Sequence, residues 1–209
     1  MTGVQTCALP IFTGFDPFGG ESVNPAYEAV KMLPDEISGA EIVKLEIPTE
    51  FVRSGDVVCN AIDNFSPDVV INVGQAGGRS CVTVEKVAIN CEDARVPDNA
   101  EYSPHDVKVK DDGPDAYFAT LPVVEIVKET NALSIPCEMS YTAGTYVCNS
   151  VMYNVLHYVA TKGLKIKAGF IHVPYAAEQA VTKKQIPYMK IQDIADVLKV
   201  AIKTTVESM

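Results

Sequence analysis

The chain has 209 residues, 47% of them hydrophobic and 21% charged, and its formal net charge is −10 at pH 7. A chain of this length can bury a core as one large domain without disulfides or metals. The acidic balance argues against a nucleic-acid partner or an anionic membrane surface, because both bind a basic face. No apolar run reaches the roughly 18 residues of a membrane span and no secretory signal is visible, so we predict a cytoplasmic protein.

The cysteines and histidines do not form a metal-binding pattern. The cysteines show no C-x-x-C pair, and the three histidines show no H-x-x-x-H spacing. We therefore predict free thiols and no metal. The six cysteines are Cys7, Cys59, Cys81, Cys91, Cys137 and Cys148.

The N-terminal segment does not fit the pattern of the rest. Residues 1–9 have no clean strand pattern, and Pro10 is expected to break the entry to a first strand. Residues 11–13 are then only a short apolar lead into a Gly-rich turn at 14–20. We interpret residues 1–11 as an atypical, non-native segment, resembling translated sequencing-adapter read-through, and predict a single domain over 12–209.

Strands and helices alternate along the remaining chain. Asn24 is a predicted N-cap and Pro25 a predicted first helical residue. Residues 92–115 form a polar, acidic excursion, which we interpret as a functional loop or hairpin. The predicted helices are 25–32, 50–64, 121–129, 146–161 and 191–208, and the predicted strands are 41–47, 68–73, 82–89, 134–140 and 167–173. This order predicts a three-layer α/β/α domain with a mixed, largely parallel central sheet.

Cys148 is the candidate nucleophile. It follows the turn at Gly144 and opens a predicted helix, where the helix dipole and free N–H groups favour a thiolate and could hold an oxyanion. A buried structural cysteine would fit the same position.

A thiolate nucleophile also needs a base. His157 lies nine residues after Cys148 on the same predicted helix and so faces the opposite side. His105 lies in the acidic excursion, where solvation is expected. His172 lies near the carboxyl end of a predicted strand, where sites form in open α/β sheets, although a core histidine would also fit.

A carboxylate should orient the imidazole of that base. Glu85 stands in an otherwise apolar, alternating strand and shares a face with Thr83 and Val87. A solvated strand face is the alternative interpretation. Three other acids remain candidates: Asp16, Asp93 and Asp98.

The Gly-rich turns at 14–20 and 74–78 match neither phosphate-loop spacing, so they support nucleotide binding only weakly. Phe15 and Phe18 lie in the first turn, where they fit either the core or an apolar pocket for a small ring.

Five ordered blocks of the sequence resemble the pyrrolidone-carboxylate peptidase (pyroglutamyl-peptidase I) family of cysteine peptidases over about residues 12–208. The blocks are Thr13–Gly20 with Asn24-Pro25, Gly74–Arg79, Glu85–Asn90 with Asp93–Asn99, Ala143–Asn149 and Gly169–Tyr175. The sequence departs from the family at residues 1–11, where a first strand is usual, and at Lys86, where Arg is common.

The resemblance implies hydrolysis of an N-terminal pyroglutamyl residue from peptides through a thioester, by a homotetramer without a cofactor. It implies a triad of Cys148, His172 and Glu85. It further implies an aromatic pocket with Phe15, Phe18 and Tyr146, lactam contacts from Gln75 and Asn24, and Arg95 near the oxyanion. Two alternatives stay open: a phosphate-dependent enzyme of the nucleoside phosphorylase type, and a binding protein that retains the pocket without catalysis.

Overall fold

The computed structural model describes residues 8–209. The strands are β1 (Pro10–Phe15), β2 (Glu36–Ile37), β3 (Ala40–Glu41), β4 (Val43–Ile47), β5 (Val69–Gln75), β6 (Val82–Glu85), β7 (Val87–Ile89), β8 (Ala116–Phe118), β9 (Cys137–Ser140), β10 (Lys167–Val173), β11 (Tyr175–Ala176) and β12 (Tyr188–Met189). The helices are α1 (Pro25–Lys31), α2 (Phe51–Phe65), α3 (Val123–Ala132), α4 (Val147–Thr161), α5 (Ala177–Ala180) and α6 (Ile191–Glu207).

The central sheet has six strands in the order β4-β1-β5-β10-β6-β9. Every neighbouring pair is parallel except β10 and β6. Helices α2 and α4 pack together, as α6 does with α1 and α3. The predicted three-layer architecture with a mixed, largely parallel sheet is confirmed.

Strands β1 and β5 are buried along their whole length, and β10 is buried beyond Lys167. Strands covered on both faces contain continuous apolar runs, which explains why these segments lack alternation. Their carboxyl ends lie at the same edge of the sheet, and that edge carries the candidate site.

The prediction that Pro10 breaks the first strand is wrong. Pro10 is the first residue of β1, where a missing backbone N–H costs nothing because no ladder bond is required there. Leu9 is also held, since its N–H donates to Asp68 Oδ2 at 3.0 Å. Residues 10 and 11 thus belong to the sheet. Residues 1–7 lie outside the described residues, so the non-native origin and the boundary at 12 stay predictions.

The predicted single strand over 82–89 is also wrong, because the chain divides at Lys86. Strand β6 ends at Glu85 in the central sheet, whereas β7 pairs antiparallel with β8. The excursion over 92–115 is the connection between β7 and β8, and it carries one isolated bridge, Glu92 to Val107. The excursion is thus the long loop of a hairpin whose paired strands lie just outside it; β8 itself was not predicted, and a function for the loop stays a prediction.

The start of α1 follows the predicted chemistry. Asn24 caps α1 through Oδ1, which accepts from Ala26 N–H at 3.1 Å, and Pro25 opens the helix. Gly163, at φ 64°, follows α4 and allows the chain to turn. No helix of residues 8–209 is long and apolar enough to span a membrane.

Candidate active site

The predicted acid and base are in direct contact. His172 Nδ1 lies 2.8 Å from Glu85 Oε1, with His172 4% exposed and Glu85 fully buried. The antiparallel pairing of β10 with β6 places His172 opposite Thr83 and Phe170 opposite Glu85. This register brings the two side chains together on one face of the sheet, so the solvated interpretation of Glu85 is wrong.

Cys148 is the second residue of α4, directly above Gly74 of β5. A Cβ built on Gly74 would lie 2.9 Å from Cys148 Sγ and 2.7 Å from Phe170 Cζ. Gly74 is the register partner of His172, and Phe170 and His172 share a face of β10. The thiol therefore lies on the same face of the sheet as His172 and at the same position along the strands. Only glycine at position 74 leaves room for it.

The start of α4 offers unclaimed N–H groups. Tyr146 occupies the N-cap position, and no side chain among residues 8–209 caps this helix. The first hydrogen bond of the helix is donated by Ser150 N–H to Tyr146 O. The N–H groups of residues 147–149 therefore have no partner within the helix. A developing oxyanion beside Cys148 would find donors there.

The electrostatics favour a neutral thiol and imidazole at rest. Burial, reinforced by the charge of Glu85, raises the pKa of the Cys148 thiol to about 12. Burial lowers the pKa of His172, although Glu85 opposes the shift. Burial alone would raise the pKa of Glu85, but hydrogen bonds from His172, Ser140 and Arg79, together with the charge contact with His172, outweigh that and lower it. Of these three side chains, Glu85 is thus the one that is ionised at rest.

The alternative acids and bases are used elsewhere. Asp16 Oδ1 accepts from Thr49 N–H at 2.7 Å, and Asp98 Oδ2 accepts from Phe51 N–H at 2.9 Å. Asp93 pairs with the exposed His105 at 3.3 Å. His157 Nδ1 lies 3.2 Å from Tyr117 Oη, on the side of α4 away from Cys148, as the helical periodicity predicted.

The two phenylalanines of the first loop have different surroundings. Phe15 is 2% exposed and packs against Phe170, with ring centroids 6.3 Å apart. Phe18 is half-buried, and its ring lies 6.5 Å from that of Tyr146, which also donates from Oη to Pro97 O at 3.0 Å. We call Phe18 and Tyr146 the aromatic rim. Phe15 supports it from the core.

Gln75 ends β5 beside Gly74, and its amide is oriented by a second glutamine. Gln179 Oε1 accepts from Ala176 N–H at 2.9 Å, so its Nε2 faces away and donates to Gln75 Oε1 at 3.0 Å. Gln75 Nε2 has no hydrogen-bond partner within residues 8–209. It is therefore available as a donor.

The other two predicted contacts are placed differently. Asn24 is 2% exposed, and its amide both caps α1 and donates from Nδ2 to Asp16 O at 3.0 Å, so it supports the first loop. Arg95 is exposed and forms no hydrogen bond or ion pair within the described part of the chain. The structure does not join Arg95 to the triad residues, and both substrate contacts stay predictions.

Sequence reasoning gave no role to Arg79 or Gln179. Arg79 Nη1 lies 2.6 Å from Glu85 Oε1. Both residues lie outside the central sheet, in a turn and a short helix, where no periodicity marks a side chain as inward-facing.

A helix-borne cysteine beside a buried His–Glu pair, at the carboxyl edge of a three-layer α/β sheet, defines the class of thiol-dependent acyl-transfer enzymes. The model of the Pyroglutamyl peptidase family matches residues 10–208. The chain belongs to that family, as the resemblance predicted.

Individual relatives are similar over almost their whole length. Pyrrolidone-carboxylate peptidase of Enterococcus faecalis is 52% identical over 198 residues, 95% of this chain and 93% of the relative. The crystal structure of pyroglutamyl peptidase I from Bacillus amyloliquefaciens superposes with a TM-score of 0.92 at 42% identity, covering 95% of each chain. Pyrrolidone carboxyl peptidase from Thermococcus litoralis gives 0.92 at 38% identity, covering 96% of this chain and 94% of that one.

Proposed function

We propose that this protein hydrolyses the N-terminal pyroglutamyl residue from peptides, with Cys148 as nucleophile, His172 as base and Glu85 as the residue that orients His172. The observation that carries the proposal is the 2.8 Å contact between His172 Nδ1 and Glu85 Oε1, at the strand level where Cys148 Sγ lies against Gly74. The family and the names of its relatives support pyroglutamyl peptides as the substrate.

The first half of the reaction is acyl transfer to sulfur. His172 takes the proton of the Cys148 thiol as the sulfur attacks the pyroglutamyl carbonyl carbon. The negative charge that forms on the carbonyl oxygen is held by N–H groups at the start of α4. Because burial disfavours the charged forms of both Cys148 and His172, proton transfer accompanies attack, and the ionised Glu85 stabilises the imidazolium that results.

The second half releases both products. The protonated His172 donates to the leaving amine as the C–N bond breaks, which leaves a pyroglutamyl thioester on Cys148. Water then attacks the thioester, His172 accepts the water proton, and the thiol is restored as free pyroglutamate departs.

Substrate selection follows from the charge of the terminal residue. A pyroglutamyl ring is a neutral lactam, whereas an ordinary N-terminus carries an ammonium group that is costly to remove from water. The aromatic rim suits the flat ring, and in this proposal Gln75 Nε2 donates to the lactam carbonyl, which proline lacks. In this proposal Arg95 also lies near the oxyanion, and Asn24 contacts the lactam.

Release of a reporter amine from a pyroglutamyl substrate tests the function. Wild-type protein should cleave it and be inactivated by iodoacetamide, and Cys148→Ser should be slower by at least about 10³-fold. Cys91→Ser, at another partly exposed cysteine, should keep full activity, and a prolyl reporter should not be cleaved.

Full turnover by Cys148→Ser contradicts the mechanism. Binding of a pyroglutamyl peptide without cleavage by the wild type would leave a binding protein, and a requirement for phosphate would favour the phosphorylase-type alternative.

We also propose a cytoplasmic location and a homotetramer. The cysteines described in the structure are free, which suits a reducing compartment. Phe118 of β8 is 65% exposed and Ile89, on the same face of the paired strand β7, is 38% exposed, and adjacent exposed apolar side chains favour an interface. Light scattering coupled to size-exclusion chromatography should give four times the chain mass, and a monomer would overturn the assembly.

A further inference from the structure

Arg79 connects three segments of the active site. It lies in the turn between β5 and β6, and its guanidinium hydrogen-bonds Thr83 and Glu85 of β6. Its second terminal nitrogen, Nη2, donates to Thr142 O at 3.2 Å. The side chain is 29% exposed, whereas the Glu85 carboxylate that it contacts is fully buried. One planar side chain therefore joins the acid of the site to the loop that precedes α4.

Glu85 needs a permanent positive partner. A buried carboxylate is costly unless it is paired, and a neutral imidazole supplies a hydrogen bond but no compensating charge. Among residues 8–209, Arg79 and His172 are the two basic side chains that contact the Glu85 carboxylate, and only Arg79 is charged at every working pH. Arg79 is thus the group that keeps Glu85 ionised before His172 takes up a proton.

The contact with Thr142 extends this effect to the nucleophile. Residues 141–146 lead from β9 into α4, and Gly144 turns the chain at φ 78°. Cys148 lies four residues beyond that turn. A guanidinium that hydrogen-bonds both Glu85 and Thr142 O fixes the start of α4 relative to the acid, and a single-point cation could not hold both contacts in the same way.

We propose that Arg79 is a positioning residue of this active site: by bridging Glu85 to the Thr142 carbonyl, it keeps Glu85 ionised, directed at His172, and in register with Cys148. The inference rests on the proposed function in one respect, namely that Cys148 and His172 form the reacting pair.

Loss of the Arg79 charge should shift the pH dependence in a defined direction. The groups that face His172 are Glu85 from β6, Arg79 from the preceding turn and Cys148 from α4. The positive charge of Arg79 lowers the pKa of His172 and also that of Cys148. Without that charge both values rise, so the acid limb of activity moves to higher pH.

The experiment compares Arg79→Met, Arg79→Lys and the control Arg53→Met, which removes an exposed arginine of α2. Two quantities are measured against pH: kcat/KM on the pyroglutamyl reporter, and the rate at which iodoacetamide alkylates Cys148. Arg79→Met should lower kcat by about 10- to 100-fold with little change in KM, and should move both acid limbs to higher pH. Arg53→Met should match the wild type.

Arg79→Lys separates charge from geometry. The lysine keeps the positive charge, so the acid limbs of kcat/KM and of alkylation should both stay at the wild-type pH. It lacks the planar guanidinium that contacts Glu85 and Thr142 together, so kcat should still fall by about tenfold. Wild-type turnover in Arg79→Lys overturns the bridging role even if Arg79→Met does not fold. A loss of kcat or of thermal stability in Arg79→Met with unmoved acid limbs overturns the electrostatic role.

The alkylation measurement does not depend on the substrate. If the wild type fails to cleave the pyroglutamyl reporter, the proposed function fails, but the pH dependence of Cys148 alkylation still decides whether Arg79 acts on the reacting pair.

Discussion

The acid–base pair and the aromatic rim lie at the same edge of the sheet, but they are held in different ways. Glu85 and His172 are on adjacent strands, nearly or fully buried, and their contact follows from backbone register. Phe18 and Tyr146 lie in a loop and at a helix N-cap, remain partly exposed, and meet through side-chain packing. The base and the acid that orients it are thus fixed by the sheet, whereas the groups that would contact the substrate ring are fixed by a loop and a helix start.

Glu85→Gln tests the strand-borne pair most severely. The amide keeps the shape but cannot stabilise the imidazolium, and it leaves Arg79 without a counter-charge. We expect kcat to fall by about 10³- to 10⁴-fold with little change in KM. Glu46→Gln, at an exposed position of β4 on the opposite edge of the sheet, is the control and should be neutral in the reporter assay. A tenfold loss or less would mean that Glu85 does not orient the base.

Gly74→Ala tests whether the sheet also fixes the nucleophile. The added methyl group would overlap Cys148 Sγ and Phe170, so Sγ must shift. A displacement of a reacting atom by about 1 Å can cost about 10²-fold in kcat/KM. Overpacking costs about 1–3 kcal/mol of stability. Gly169→Ala clashes instead with Leu121, away from Cys148. It should lower stability in urea unfolding but leave kcat/KM unchanged; equal activity losses in both variants would contradict the steric argument.

The two loop phenylalanines separate substrate contact from core support. Phe18→Ala should raise KM by about tenfold, equivalent to about 1.4 kcal/mol, with little effect on stability. Phe15→Ala should instead destabilise the protein by about 3–5 kcal/mol, because the ring is 2% exposed and packs against Phe170. Steady-state kinetics and urea titrations on both variants check this division, and an unchanged KM in Phe18→Ala would remove it from the pocket.

The smallest effect concerns a buried acid away from the reacting groups. Glu92 is 8% exposed and accepts from Ser150 Oγ at 2.5 Å, and burial raises the pKa of its carboxyl. A raised pKa in the folded state means that the contribution to stability is present at low pH and is lost as pH rises through the folded value. Glu92→Gln should therefore gain stability relative to the wild type at pH 8 but not at pH 4. Free energies of unfolding at both pH values decide this, and a constant difference would contradict the linkage.

The sequence alone determined much of this protein. Continuous apolar runs predicted β5 and β10, a cap and a proline predicted α1, and helical periodicity excluded His157 as the partner of Cys148. These features are local, because each depends on residues within a few turns or one strand. The ordered motifs predicted the family in the same way, since a motif is a property of the chain and not of its packing.

Only the tertiary structure decided how those segments meet. The division of 82–89 at Lys86, the burial of Glu85 and the inclusion of Pro10 in β1 depend on which strands lie alongside, and that pairing is long-range. The roles of Arg79 and Gln179 likewise exist only because a turn and a short helix lie over the carboxyl edge of the sheet. Cys148 could be predicted as a nucleophile from its place at a helix start, but its position over Gly74, level with His172, required β5 and β10 in register and α4 packed against them.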